Sequence, residues 1–312
     1  MLDFTPQDLV VASYNTLAAL NSREGMDKLS ALSDTYLRTH LREASVFWQI
    51  QPPNTIDASV LDRATDVDTL VKIEELEPDS TAFTANFRGR APYKYIKQDR
   101  YAVPFYKVMS NRYRKEEIEF MASRSPLSKI IEENTLLDMQ EAIDDVGFST
   151  YRDIVEYSKM KIKDSNNVQL STQFIVQMAK RMVAERRRLS CLAMSEILWM
   201  DILAWGSEEA GAQWVSAKTE KGVDTDRLLK WRCITTIKNN IIKANEVWGF
   251  TEPRFLGHSY LLENSKFWIN KNGSLIEMDA YLYLGAGVGN AFSIVYGSLD
   301  KVDGVTGLPK AA

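Results

Sequence analysis

Two histidines, His40 and His258, are all the imidazole chemistry this chain has, and neither has a Cys, Asp or Glu at ligand spacing in a recognisable motif. Both therefore read as packing or surface residues. Gly285-Ala286-Gly287-Val288-Gly289-Asn290 approaches a nucleotide-binding loop, in which glycines let the backbone close on phosphates. The dinucleotide pattern wants its third glycine where Asn290 stands, and no Gly-Lys-Ser/Thr follows, so the segment reads as a flexible loop. There is no Gly-x-Ser-x-Gly elbow, no kinase signature set and no CxxC pair. Cys191 and Cys233 fall inside helix-like apolar periodicity, which suits small buried hydrophobes rather than a disulfide. What remains is charge. Glu132, Glu133, Asp138, Glu141, Asp144 and Asp145 could serve a carboxylate-dependent hydrolase with its metal near Asp144 and Asp145, but a solvated or partner-facing helix face is the commoner use of such a row. Arg186-Arg187-Arg188, beside Lys180 and Arg181, suits either phosphates or nearby carboxylates.

The elements that would position these residues follow from periodicity. Gln7–Leu20 and Met26–Phe47 have helical spacing, and Gln51-Pro52-Pro53-Asn54 stops that arm near Ile50 because proline lacks the N–H and pushes its predecessor towards extended geometry. Asp62–Asp79 carries seven acids against Arg63 and Lys72, with Val71-Lys72-Ile73-Glu74 alternating as a strand. Phe83, Ala85 and Phe87 alternate outwards, Arg88-Gly89-Arg90-Ala91-Pro92 turns, and Tyr95, Lys97, Tyr101, Val103 and Phe105 return, the pattern of a long two-stranded ribbon. Arms of roughly ten to twelve residues project some 35–40 Å, and such a hairpin is not stable alone in water. Ser125-Pro126 opens a long helix with Leu136, Met139, Ile143 and Val146 on one stripe. A second helix starts near Ser171 and runs through Met178, Met182, Leu189, Leu192, Trp199 and Leu203. Gly206–Gly222 is weakly periodic and reads as a subdomain boundary. A third helix follows Asp224 or Thr225, with Trp231, Ile234, Ile241, Ala244 and Trp248 on one face. Strands are expected over Phe255–Leu262, Leu275–Leu284 and Phe292–Tyr296, a turn at Asn272-Gly273-Ser274, and turns again after Asp300.

The whole is an ordinary globular composition, 312 residues with 45% hydrophobic and 26% charged, long enough to bury a core without disulfides. The net charge of −4 disfavours a protein organised around one broad basic face. Asp3, Pro6 and Asp8 near the start give neither a signal-peptide pattern nor a membrane span.

The order of these elements resembles the major capsid protein of tailed bacteriophages, the Hong Kong 97-type fold that encapsulins also use. The segments that carry the resemblance are Asp66-Val67-Asp68-Thr69 leading into Glu77 and the loop Phe87-Arg88-Gly89-Arg90-Ala91-Pro92-Tyr93-Lys94-Tyr95-Ile96. Further along they are Glu133-Asn134 with Asp144-Asp145-Val146-Gly147-Phe148, and Leu228–Trp268 with its Leu262-Glu263-Asn264 turn. The resemblance implies an α+β fold: an N-terminal helical arm at 1–50, an acidic linker and strand at 51–82, an extended β-hairpin loop at 83–108, a peripheral domain with a spine helix at 109–215 and an axial domain at 216–312. It implies no enzyme, cofactor or metal. It implies a protein that assembles with itself into hexamers and pentamers of an icosahedral head around double-stranded DNA. Scaffold, portal or decoration proteins would be its virion partners, no membrane is involved, and assembly would take place in the host cytoplasm. Lys94 and Lys97 lie in the loop, yet no crosslink is expected.

Charge supports an assembling chain independently. Phe87–Tyr101 holds five basic residues against Asp99, opposite in sign to Asp62–Asp79. Phe87, Arg88, Arg90, Tyr93, Lys94, Tyr95, Lys97 and Arg100 are therefore expected to lie on a second copy's acidic surfaces. The receiving residues would be Asp66, Asp68, Glu74, Glu75, Glu132, Glu133, Asp144 and Asp145. Two alternatives remain open. One is an encapsulin-like compartment shell, and the other a helical nucleocapsid protein that binds RNA through Arg186–Arg188 and the hairpin.

Overall fold

Gln51-Pro52-Pro53 stops the first described helix, α1 (Val46–Ile50), whose amide of Trp48 is capped by the Ser45 hydroxyl. The computed structural model describes residues 45–63, 70–75, 84, 99–122, 127–165, 167–205, 227–228, 230–238, 240–262, 266–307 and 309. After α1 come β1 (Pro53–Ile56), β2 (Asp62–Arg63), β3 (Leu70–Glu75), β4 (Arg100–Met109), β5 (Tyr113–Glu116), α2 (Glu117–Ala122) and the 32-residue α3 (Leu127–Ser158). Then follow β6 (Lys161–Asp164), α4 (Thr172–Ala184), β7 (Cys191–Ser195), α5 (Glu196–Ala204), β8 (Arg227–Leu228), β9 (Trp231–Thr236) and β10 (Glu246–Phe250). The chain closes with α6 (Pro253–Leu256), β11 (Ser259–Leu262), β12 (Lys266–Asn272), β13 (Leu275–Ala286) and β14 (Ile294–Leu299).

These strands make two sheets. The first runs β1-β11-β13-β4-β3-β2, with β12 and β5 also on β13; the second runs β6-β14-β10-β7-β9-β8. The second is covered on both faces. Cys191, Ala193, Ile234, Trp248, Phe250 and Ile294 turn into a core shared with α1, α3 and the first sheet. Leu192, Met194, Val247 and Val295 turn into another core under α4 and α5. Phe148 of α3 meets Trp248 edge-on at 5.7 Å, and Tyr151 sits 5.1 Å from Phe250, so the long helix is bound to the second sheet through aromatic rings.

Burial on both faces explains where sequence periodicity misleads. A strand covered on both sides needs no alternation and reads as a continuous apolar run. The second expected helix is therefore two helices, α4 and α5, split by β7, all five of whose residues are buried. The expected helix through Trp231 and Trp248 is β9, a turn and β10, which is likewise buried throughout. The sheets also draw strands from both sides of residue 215: β7 pairs with β9, and β13 pairs with β4 and β5. Both sheets thus span residue 215. Helices expected over 7–20, the Ser125-Pro126 cap, the boundary at 206–222 and the Leu262-Glu263-Asn264 turn lie outside the described residues, wholly or in their key positions.

Other expectations match. The stripe on α3 is buried at Met139 and Ile143, Ser171 caps α4, and both cysteines are buried and outside any disulfide. Asn272-Gly273 turns β12 into β13 with Gly273 at φ 64°, the left-handed geometry glycine adopts without strain. α4 ends less comfortably. Arg186 donates its N–H to the Val183 carbonyl at φ 58°, where a residue with a Cβ costs about 1–2 kcal/mol relative to glycine.

Candidate assembly interface

Strand β4 belongs to two neighbourhoods. Residues Phe105–Met109 pair with β13, whereas Arg100–Pro104 pair with Val71–Glu75 of β3. Its first half thus leaves the body sheet and forms an antiparallel stem with β3, and the 24 residues 76–99 connect the two strands at the stem's far end. The Arg100 guanidinium lies 3.0 Å from the Glu75 carboxylate there, both exposed, a pair that contributes at most about 1 kcal/mol.

The stem's upper face is anchored to the body. Val103 and Phe105 form a small core with Tyr260 and Leu262 of β11, with Phe105 and Tyr260 rings stacked at 6.4 Å. Room for this comes from the glycine run first read as a flexible loop. A Cβ on Gly285 would fall 2.8 Å from the Phe105 ring, one on Gly287 2.5 Å from a Val103 methyl, and one on Gly289 3.3 Å from the Tyr101 hydroxyl. Three glycines two residues apart thus face three stem side chains two residues apart. The run is pinned as well: Gly287 N–H donates to the His258 carbonyl, Gly289 N–H to that of Leu256, and the Gly287 carbonyl accepts from Gln51 Nε2. Gly285→Val is expected to lower unfolding stability by about 1–3 kcal/mol, the usual cost of overpacking, read from a denaturant midpoint.

Side chains tie the joint across strands that share no backbone pairing. Glu74 of β3 accepts from Tyr260 Oη of β11 and from Lys72, whose ammonium stands 3.8 Å over the Tyr260 ring; the His258 ring lies 6.1 Å from that of Tyr260. Burial works to raise the Glu74 carboxyl, but these hydrogen bonds and the positive charge of Lys72 outweigh it and leave it below the ordinary glutamate range. A folded-state value below the unfolded one means that the tie stabilises above the ordinary range and is lost as pH falls through the lowered value. Amide exchange over β3 should therefore speed up below about pH 4 beyond the intrinsic pH effect, and Glu74→Gln should abolish that extra acceleration. Unchanged acid sensitivity in the variant would count against the tie.

The lower face is the reverse. Val71 pairs with Pro104 and Ile73 with Ala102, and Tyr106 follows on the same side. This face of β4 is core at Val108, 5% exposed, yet Ile73 and Tyr106 are each 46% exposed. An apolar strip continues the core outwards with no covering layer among the described residues.

Several expected contact residues have other occupations. Asp144 is fully buried: Oδ1 accepts from Ser45 Oγ at 2.6 Å and from the Phe47 amide at 2.9 Å, so it clasps α1 to α3 and is no surface acid. It shares its side of α3 with buried Ile143, Phe148 and Tyr151, which acidic composition alone does not reveal. Glu74 and Glu75 are engaged within their own chain by Lys72, Tyr260 and Arg100. Asp145 is exposed on α3, in line with Asp138 and Glu141. Phe87, Arg88, Arg90, Tyr93, Lys94, Tyr95, Lys97, Asp66 and Asp68, the side chains of Glu132 and Glu133, and His40 lie outside the described residues. Sequence reasoning missed Ile73, Tyr106, Tyr260 and the role of the glycines. The matching period of two in Tyr101-Val103-Phe105 and Gly285-Gly287-Gly289 was the available signal.

Among the described residues no group of three or more His, Cys, Asp or Glu could hold a metal, and no helix is long and apolar enough to cross a membrane. No protein-family model matches the chain, and no curated protein matches it in sequence. Solved structures do. A chain from Microbacterium phage Oxtober96 superposes with a TM-score of 0.58 over 82% of this chain and 91% of that one, at 9% identity. The asymmetric unit of the bacteriophage PhiM1 mature capsid gives 0.54 over 83% and 88% at 8% identity. The virus-like particle from Pyrococcus furiosus gives 0.53 over 86% and 99% at 9% identity. This chain has the α+β capsid fold of the Hong Kong 97 type.

Proposed function

We propose that this chain is a structural shell protein, the major capsid subunit of a bacteriophage head. Copies assemble into hexamers and pentamers, with the stem of one subunit laid on its neighbour, and the closed shell encloses double-stranded DNA in the virion. The observation that carries this reading is the apolar strip Val71, Ile73, Ala102, Pro104 and Tyr106, which has no covering layer among the described residues. An exposed apolar face of this kind marks an interaction surface, and a subunit that reaches out of one patch into a different patch of the next builds rings. The fold shared with a mature phage capsid supports the same reading. Work of this kind is geometric and needs no turnover, cofactor or metal. Assembly in the host cytoplasm with scaffold, portal or decoration proteins follows from the same proposal.

The likeness to the Pyrococcus furiosus virus-like particle favours one second reading, a compartment shell that encloses protein cargo. Sedimentation of particles recovered from the native source, with their nucleic-acid content, separates the two. A phage head carries duplex DNA, a compartment carries protein, and a chain that forms no particle in its native source or when purified contradicts both.

A further inference from the structure

Seven cations flank the edge where α4 ends and β7 and β9 begin. Lys180 and Arg181 lie in the last turns of α4, Arg186–Arg188 follow it, and the Arg232 amide donates to the Ser190 carbonyl, so Lys230 and Arg232 enter β9 beside the start of β7, with the Arg232 guanidinium on the α1 side. Lys180, Arg181, Arg186, Arg188, Lys230 and Arg232 are exposed, and Arg187 is half-buried. Glu185 is the only carboxylate in 180–190. None of the seven forms an ion pair with a described carboxylate; Arg232 reaches only the Gln49 carbonyl, at 3.4 Å. Cations favour the C-terminus of a helix, but that preference fades beyond its last turn and does not account for Arg186–Arg188 or for Lys230 and Arg232.

We propose that this cluster binds the phosphodiester backbone of duplex nucleic acid, without reading sequence. Arginine presents a planar fork that matches phosphate oxygens, and the cluster holds five arginines to two lysines. The competing occupant is a second copy's acidic helix. Its exposed ridge, Asp138, Glu141 and Asp145, offers about one carboxylate per turn, and Asp138 and Glu141 already accept from Tyr113 and Asn240. Duplex DNA offers one charge per roughly 1.7 Å of axis, a far denser row than that ridge.

The inference deepens the shell reading by naming where the enclosed polyanion is met. Its test uses the full-length protein, a labelled 30-base-pair duplex and, as a second arm, single-stranded RNA, titrated between 50 and 200 mM salt. The duplex is expected to bind with a log–log salt slope of about −4.5 to −6.3, as five to seven neutralised phosphates require. Arg186→Gly should weaken binding a few-fold and shift the slope by about one unit while leaving the thermal midpoint unchanged or raised, because it relieves the left-handed backbone. The triple change Arg186→Gly, Arg187→Gln and Arg188→Gln should flatten the slope by about three units. A triple variant that binds the duplex like the parent overturns the proposal, and so does tighter binding to the single-stranded RNA. If that variant keeps duplex binding but loses particles, the cluster meets a sister subunit, and the shell reading survives. If the parent binds duplex through these residues yet never forms particles, the shell reading falls and the inference stands.

Discussion

Asp144→Ala should cost about 2–5 kcal/mol of unfolding stability, because it orphans two buried donors, the Ser45 hydroxyl and the Phe47 amide, at the start of α1. The loss reaches beyond one cap. Phe47 packs at 5.5 Å from Tyr151, and Gln51, at the end of α1, accepts from Tyr151 Oη and holds the Gly287 carbonyl. The clasp therefore links α1, the long helix and the floor under the stem. Asp144→Asn keeps an acceptor at Oδ1 and should lose clearly less. Burial raises the Asp144 carboxyl above the ordinary aspartate range, by more than the bonds from Ser45, Phe47 and Val46 and the charge of Lys238 lower it. The protonated form is then favoured on folding, so the carboxyl's contribution is largest at low pH and declines as pH rises through that raised value. As pH rises above the ordinary aspartate range, the stability of the parent should fall relative to Asp144→Asn, as urea midpoints at each pH will read. A flat difference, or an Asp144→Ala loss below about 1 kcal/mol, contradicts the clasp.

Changing Ile73 and Tyr106 together to lysine should leave a folded subunit that no longer assembles. Both are half-exposed in the free chain, and lysine is a residue that natural edge strands tolerate, so the thermal midpoint should barely move. At a subunit contact, the remaining apolar area is worth about 1–1.5 kcal/mol for each residue, and burying an ammonium adds further cost. Each contact should weaken by about a hundredfold or more. Because every subunit makes the contact, sedimentation should show subunits where the parent gives particles. Variant particles at the parent's concentration would show that the strip is not an interface.

Much of this fold can be read from the chain, and what cannot has physical causes. Val71-Lys72-Ile73-Glu74 announces a strand because one of its faces is polar, yet nothing local says that its partner is Arg100–Pro104, across a 24-residue gap. Pro52-Pro53 and Asn272-Gly273 act within a few residues and are legible for that reason. The strands around Leu192 and Trp248 are not, because burial on both faces erases alternation and leaves spacings that a helix fits equally well. Asp144 looks like five neighbouring acids and differs only in which side of α3 faces the core. The glycine run resembles a phosphate loop because both uses need backbone without Cβ; its period of two matches that of Tyr101, Val103 and Phe105, but that the two runs face each other is fixed only by β4 lying beside β13.

An electron-microscopy reconstruction of particles formed by the full-length protein tests the central claim most directly. Closed shells are expected, with Ile73 and Tyr106 of each subunit covered by a neighbouring copy. A chain that stays monomeric at every concentration, or shells in which that strip still faces solvent, would contradict it.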